Sequence, residues 1–83
     1  MEMNNDRHSH WDSILIYRTS VRNDKEKLKV ADKLNYLVGE NNWTIDLEDE
    51  DKVLRVVCNR ELAKEIEQVF AAYRYRCESM PYW

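Results

Sequence analysis

The alternation of apolar and polar residues changes its period several times along the chain, and each change predicts a new element. The run Ile14–Tyr17 is short, β-branched and aromatic, which is typical of a strand. Apolar and polar residues alternate over Trp43–Leu47 and again over Val53–Cys58, which predicts two further strands. The acidic residues 48–51 between them favour a turn, so these strands should form an antiparallel hairpin. A weaker alternation over Tyr75–Met80 predicts a last strand.

Two other segments carry apolar residues at three- and four-residue spacing, which predicts two helices. The first stripe consists of Leu28, Ala31, Leu34, Leu37 and Val38, and the second of Leu62, Ile66, Val69, Phe70 and Tyr73. Asn23, with Glu26 three residues later, predicts the cap of the first helix and its reciprocal partner. Gly39, the single glycine, predicts the left-handed residue that ends this helix, and Asn59 predicts the cap of the second.

The element order β-α-β-β-α-β predicts an α+β protein with a ferredoxin-like fold, a two-layer sandwich in which two helices cover one face of a four-stranded antiparallel sheet. The strand order expected of this fold is 4-1-3-2. The chain has 83 residues, which is room for one small domain and one core. We assign the domain to residues 13–80, a flexible N-terminal tail to residues 1–12 and a C-terminal tail to residues 81–83.

The two cysteines, Cys58 and Cys77, are too few for a disulfide scaffold. In the expected strand order the first strand separates them by roughly 9–10 Å, beyond the reach of a disulfide. We therefore predict that both are free and buried. The polar start of the chain shows no apolar signal sequence, and reduced thiols fit a cytoplasmic location.

Composition and charge argue against several classes of function. The net charge of −3 does not favour phosphate neutralisation, and Val53–Cys58 lacks the aromatic residues of an RNA-binding sheet, so we expect no nucleic acid. No stretch approaches the roughly 18 apolar residues that span a bilayer. We find no acid–base or nucleophile motif and no glycine-rich phosphate loop, and therefore predict no enzymatic activity and no cofactor.

The N-terminal tail carries a set of residues that can bind soft or borderline metals. Met1 and Met3 form a Met-x-Met pair, and His8 and His10 form a His-x-His pair, both of which can ligate copper or nickel. The alternative interpretation is a solvated tail without a ligand.

One face of the predicted sheet has no helix over it, and apolar residues fall on that face. Its expected apolar members are Val53 and Val57, together with either Leu15 and Tyr17 or Ile14 and Ile16. A contiguous apolar patch predicts a protein partner or a homodimer. The competing explanation is that Trp11, Tyr82 and Trp83 of this chain cover the patch.

Charge is distributed unevenly along the chain. Arg18, Arg22 and Lys25 surround the first loop and helix start, whereas acidic residues fill 48–51. This asymmetry predicts a dipolar surface for a charged partner, and the alternative is two solvated faces.

In its element order and in several segments the sequence resembles the heavy-metal-associated domain family. The resemblance covers Ile14 to about Met80 and rests on Leu34-x-x-Leu37 before Gly39, on Trp43–Leu47, on Val53–Val57 and on Tyr75–Glu78. It implies the ferredoxin-like fold. In that family a Cys-x-x-Cys pair after the first strand holds copper or zinc.

The corresponding loop of this chain departs from that motif. The two thiol positions fall near Asn23 and Glu26, which suit a helix cap, and the nearby Arg18, Arg22 and Lys25 would repel a cation. The chain therefore resembles a degenerate member that keeps the fold without the metal site. The sequence favours a non-catalytic interaction or regulatory module, and the alternative is a copper-type metal-binding protein that uses the tail or a free cysteine.

Overall fold

The computed structural model describes residues 13–80, which form an alternating series of strands and helices. The strands are β1 (Ser13–Thr19), β2 (Trp43–Ile45), β3 (Leu54–Cys58) and β4 (Cys77–Ser79), and the helices are α1 (Asp24–Val38) and α2 (Ala63–Ala72). A short 3-10 helix (Arg60–Leu62) precedes α2. The described part of the chain is therefore α+β, as predicted, with one turn of 3-10 helix that the apolar pattern does not distinguish from α2.

The four strands form one antiparallel sheet in the order β2-β3-β1-β4. The long central strands β1 and β3 pair with Leu15 opposite Val56. The edge strands are short, and β4 pairs only with the last three residues of β1, with Arg18 opposite Glu78. The predicted four-stranded antiparallel sheet is confirmed, and among the described residues β4 pairs with only part of β1.

The core lies between the two helices and one face of the sheet. Its buried cluster consists of Tyr17, Val21, Val30, Leu34, Ile45, Leu54, Val56, Cys58, Ile66 and Phe70. Alternate residues of β3 enter this cluster, because successive side chains of a strand point to opposite faces. Both helices contribute to the same cluster, so within residues 13–80 the opposite face of the sheet has no helix over it.

Helix α1 begins with the predicted cap in a modified form. The Glu26 backbone N–H donates to Asn23 Oδ1 at 2.9 Å, as expected of an N-cap. The Glu26 side chain reaches back one residue further than predicted, since its Oε1 accepts from the Arg22 backbone N–H at 2.8 Å. The cap therefore involves three residues and holds the end of the β1–α1 loop.

Helix α1 ends at a backbone conformation that requires glycine. Gly39 has φ 99° and ψ 144°, and its N–H donates to the Asn35 carbonyl at 2.9 Å. A Cβ at this position would lie 2.9 Å from Asn42 Nδ2, which itself donates to the Val38 carbonyl. The predicted positive φ is confirmed, although ψ lies outside the left-handed helical region.

Helix α2 ends in a motif of two backbone hydrogen bonds, and the last strand therefore starts later in the chain than predicted. Arg74, with φ 64°, donates its N–H to the Ala71 carbonyl at 2.9 Å, and the Tyr75 N–H reaches the Phe70 carbonyl at 3.0 Å. This is the Schellman arrangement, built on an arginine where glycine is usual. Tyr75 therefore belongs to the helix end, and β4 begins at Cys77 rather than at the predicted Tyr75.

The predicted helical stripes are right in part. Leu34 is fully buried, but Leu28 is 70% exposed and Val30 is buried instead. At 100° per residue, Leu28 and Val30 lie about 200° apart on the helix, so only one of them can face the core. Tyr73, past the end of α2, is 43% exposed.

Candidate functional site

The face of the sheet opposite the helices carries an exposed apolar patch on β1 and β3. Leu15 and Tyr17 point towards the helices, so Ile14 and Ile16 point away from them, which decides between the two predicted alternatives. Ile14 is 60% exposed and lies directly opposite Val57, which is 40% exposed. We call Ile14, Ile16 and Val57 the open-face patch.

The two most exposed members of the open-face patch are neighbours across the strands. The Val57 N–H donates to the Asn42 carbonyl at 2.8 Å and is therefore turned away from β1. Ile14 and Val57 are thus a non-hydrogen-bonded pair, the class in which side chains approach most closely. Covering Ile14 with a partner would gain roughly 1–2 kcal/mol of transfer free energy.

Two residues expected on this face are buried instead. Tyr17 is 2% exposed and belongs to the core, where burial first, and then the charge of Glu67, raises the pKa of its hydroxyl well above the usual range. Val53 is also 2% exposed, although it lies outside the core cluster. It stands where the β2–β3 turn closes onto β1, since Thr19 Oγ1 donates to the Lys52 carbonyl at 2.7 Å. Neither residue offers a surface to a partner.

Arg18 lies on the same face of β1 as Ile14 and Ile16 and makes the neighbouring end of that face polar. Its Nε lies 3.4 Å from Asp51 Oδ1, and its Nη1 lies 3.9 Å from Glu78 Oε1. Arg76 adds a further contact, with its Nε 3.5 Å from Glu78 Oε2. These exposed groups form a mixed-charge rim beside the apolar patch, which matches the composition of protein-binding surfaces.

The β1–α1 loop corresponds to the loop that holds a metal in the resembled family, and its residues here cap helix α1 instead. Asn23 and Glu26 are both engaged in the cap described above. Arg22 Nη2 lies 2.8 Å from Glu26 Oε2, and the hydrogen bonds from Arg22 hold the pKa of the Glu26 carboxyl below its ordinary value. Lys25 is exposed in the first turn of α1. This arrangement positions the start of α1 and keeps the Arg22 guanidinium in an ion pair with Glu26.

The cysteines are free, as predicted, but they lie further apart than the sheet order alone requires. Cys58 pairs with Ser13 and Cys77 with Thr19, at opposite ends of β1, so about 20 Å of strand separates them along its axis. Cys58 is buried, whereas Cys77 is only partly buried because β4 is an edge strand. Burial raises the pKa of both thiols, and for Cys77 burial and then Glu67 raise it to about 12.

Several predicted site residues fall outside the described residues. They are Met1, Met3, His8, His10, Trp11, Tyr82 and Trp83. Within residues 13–80 no group of three or more histidine, cysteine or acidic side chains is arranged to hold a metal ion. In the same range no helix has the length and apolar character needed to cross a membrane.

A cleft that the sequence did not predict borders the open-face patch. It has a volume of about 530 Å³ and opens between the end of β3 and the end of α1, with Leu37, Asn42, Val57 and Cys58 among its lining residues. Its lining contains no carboxylate, histidine or lysine that would serve acid–base chemistry. Val57 belongs both to the lining of this cleft and to the open-face patch, and so connects the two. The sequence could not predict this connection, because it depends on the strand register.

No family model, no curated protein and no solved structure matches this chain.

Proposed function

We propose that this chain is a non-catalytic protein-interaction or regulatory module of the cytoplasm. Its docking surface is the open-face patch, and its partner is another protein or a second copy of the chain. The observation that carries the proposal is the exposure of Ile14 and Val57, 60% and 40%, as direct neighbours on the sheet face that no helix of residues 13–80 covers. Exposed contiguous apolar surface next to a polar rim is characteristic of interaction sites.

We also propose that the fold is the ferredoxin-like βαββαβ sandwich and that the chain is a heavy-metal-associated-like domain without the family's metal site. The sheet order, read from β4, is 4-1-3-2, and both helices pack on one face. The capping roles of Asn23 and Glu26, at the expected thiol positions, support the loss of the ion from this loop.

The alternative function is copper-type metal binding through the N-terminal tail or a free cysteine. A thiol binds metal as the thiolate, and the raised pKa values of Cys58 and Cys77 work against that form. Titration of the reduced protein with copper(I), with each cysteine replaced singly, tests this alternative. Stoichiometric binding tighter than micromolar would favour it over the interaction module.

The interaction proposal is tested by a substitution confined to the open-face patch. Ile14→Glu places a charge in the patch, and Tyr36→Glu is the matched control, because Tyr36 is 87% exposed on α1. Sedimentation velocity of both variants and the wild type over a wide concentration range reports the homodimer, and affinity isolation reports another partner. We expect association to be lost in Ile14→Glu and retained in Tyr36→Glu.

A further inference from the structure

The outer edge of β2 carries backbone hydrogen-bonding groups that no strand of residues 13–80 takes up. β2 lies at one end of the sheet, with β3 on its inner side. The Asn42 carbonyl and the Asp46 N–H both bond to β3, at 2.8 and 2.9 Å. Because pairing alternates along an antiparallel strand, Trp43 and Ile45 turn both their N–H and their C=O groups away from β3, towards this edge.

Side-chain contacts hold the edge in its extended form. The Trp43 indole Nε1 donates to Asn35 Oδ1 of α1 at 2.6 Å, and Lys27 Nζ lies 5.9 Å from the centre of the Trp43 ring. Ile45 belongs to the buried core. A strand that docks here meets a backbone that is already fixed, which lowers the entropic cost of pairing.

The chain around this edge is strongly acidic. Residues 34–51 contain six acidic side chains and no lysine or arginine. The exposed acidic residues of this segment are Glu40, Asp46, Glu48 and Glu50. Lys52, the cation that follows, donates from its Nζ to the Leu47 carbonyl at 2.7 Å. Pairing of β2 with the β2 of a second copy would bring two acidic segments together, so charge opposes that arrangement.

The two faces of the sheet define the side chains that a docked segment needs. Trp43 and Ile45 pack towards the helices, so Thr44 and Asp46 lie on the opposite face. Residues in register across two strands share a face, which places apolar side chains beside Trp43 and Ile45 and a basic one beside Asp46. A small polar side chain suits the position beside Thr44, because Arg55 stands on its other side.

We propose that the β2 edge docks an extended basic segment of a partner protein, which adds an antiparallel fifth strand to the sheet. Main-chain hydrogen bonds to Trp43 and Ile45 supply the attachment, and the acidic side chains select the charge of the segment. Antiparallel pairing is the more stable arrangement per residue. This surface lies two strands away from Ile14, so it is a second docking site beyond the open-face patch.

Amide exchange measured by NMR on the whole chain, with a synthetic peptide added, tests the proposal. The probe is Lys-Val-Thr-Val-Lys with blocked ends, in which the valines fall opposite Trp43 and Ile45. We expect excess peptide to slow exchange of these two amides about 10-fold. The Thr44 amide, which faces β3, should change little.

Two matched peptides separate strand pairing from simple charge attraction. N-methylation of both valines keeps the charge and removes the N–H donors, and Glu-Val-Thr-Val-Glu keeps the donors and reverses the charge. We expect neither to protect Trp43 or Ile45. Equal protection by the N-methylated peptide, or no protection by the lysine peptide at roughly millimolar concentration, would overturn the proposal.

Three variants locate the site on the molecule. Glu48→Lys should weaken binding of the lysine peptide about 10-fold, whereas Glu65→Lys, the same change on the exposed side of α2, should not. Ile14→Glu should leave peptide binding unchanged, which separates this site from the open-face patch. Equal loss in Glu48→Lys and Glu65→Lys would contradict the proposed site. So would slow exchange of the Trp43 and Ile45 amides in the free protein, because the edge would then be covered by the same chain or by a second copy.

Discussion

Ile14 and Val57 lie directly opposite each other on β1 and β3, and both remain exposed on the face of the sheet that no helix of the described chain covers. Each alternates with residues that enter the core, namely Leu15 on β1 and Val56 on β3. The same strands thus build the core with one face and present an apolar surface with the other. This relationship is the basis of the proposed interaction function.

The orientation of α1 can be tested with two leucines of the same helix. Leu34 is fully buried, and Leu28 is 70% exposed. We expect Leu34→Ala to lower the free energy of unfolding by about 2–5 kcal/mol, because it leaves a cavity in the core. Leu28→Ala should change it by less than about 0.5 kcal/mol. Urea denaturation measures both, and equal effects would show that α1 is turned differently.

The backbone at both helix ends favours glycine, so removing glycine from one end and introducing it at the other should change stability in opposite directions. Gly39 has φ 99° and a Cβ there would press on Asn42, so Gly39→Ala should lower stability by about 1 kcal/mol or more. Arg74 has φ 64°, so Arg74→Gly should raise stability by up to about 1 kcal/mol. Thermal or urea unfolding gives both values. A stabilising Gly39→Ala or a clearly destabilising Arg74→Gly would contradict the described backbone.

The helix cap predicts a pH dependence of stability. Hydrogen bonds from Arg22 hold the pKa of Glu26 below its ordinary value, so its charge stabilises the fold at pH values above the unfolded pKa of about 4.3. This contribution is lost as the pH falls through the folded pKa. We expect the stability difference between the wild type and Glu26→Gln to shrink below about pH 4. A difference that stays constant from pH 7 to pH 3 would refute the ion pair.

The thiols should be unreactive in the folded protein. Burial raises the pKa of Cys58, and burial together with Glu67 raises that of Cys77 to about 12, so few thiolates exist at pH 8. We expect alkylation of each cysteine to be more than about 10-fold slower than that of free cysteine, and to become fast in urea. Mass spectrometry of single-cysteine variants measures the rates. Reaction of either folded thiol at the free rate would contradict this.

Periodicity and capping chemistry were enough to predict most of the fold. The four strands, the two helices and the Asn23 cap were predictable, because each depends on residues close together in the chain. The pairing of Glu26 with Arg22, the late start of β4 after Arg74 and the 3-10 turn after Asn59 depend on individual backbone conformations, which periodicity does not encode.

The candidate site was only partly predictable, and the reason differs from that for the fold. The sequence indicated an apolar open face but left open whether Ile14 or Tyr17 belongs to it, because β1 is apolar on both faces. Val53 was expected on that face and is buried, since the closure of the β2–β3 turn onto Thr19 is a contact between distant residues. The strand register resolves these positions, and no local pattern contains it.

Affinity isolation with three immobilised forms of the chain, namely the wild type, Ile14→Glu and Tyr36→Glu, tests the docking face most directly. Extract of the source cells, with an untagged copy of the chain added, is passed over each, and the retained proteins are quantified by mass spectrometry. Circular dichroism first shows that both variants are folded. We predict that at least one protein, or the untagged copy, is retained by the wild type and Tyr36→Glu and lost by Ile14→Glu. The same retained set on all three would contradict the assignment of the open-face patch as the docking surface.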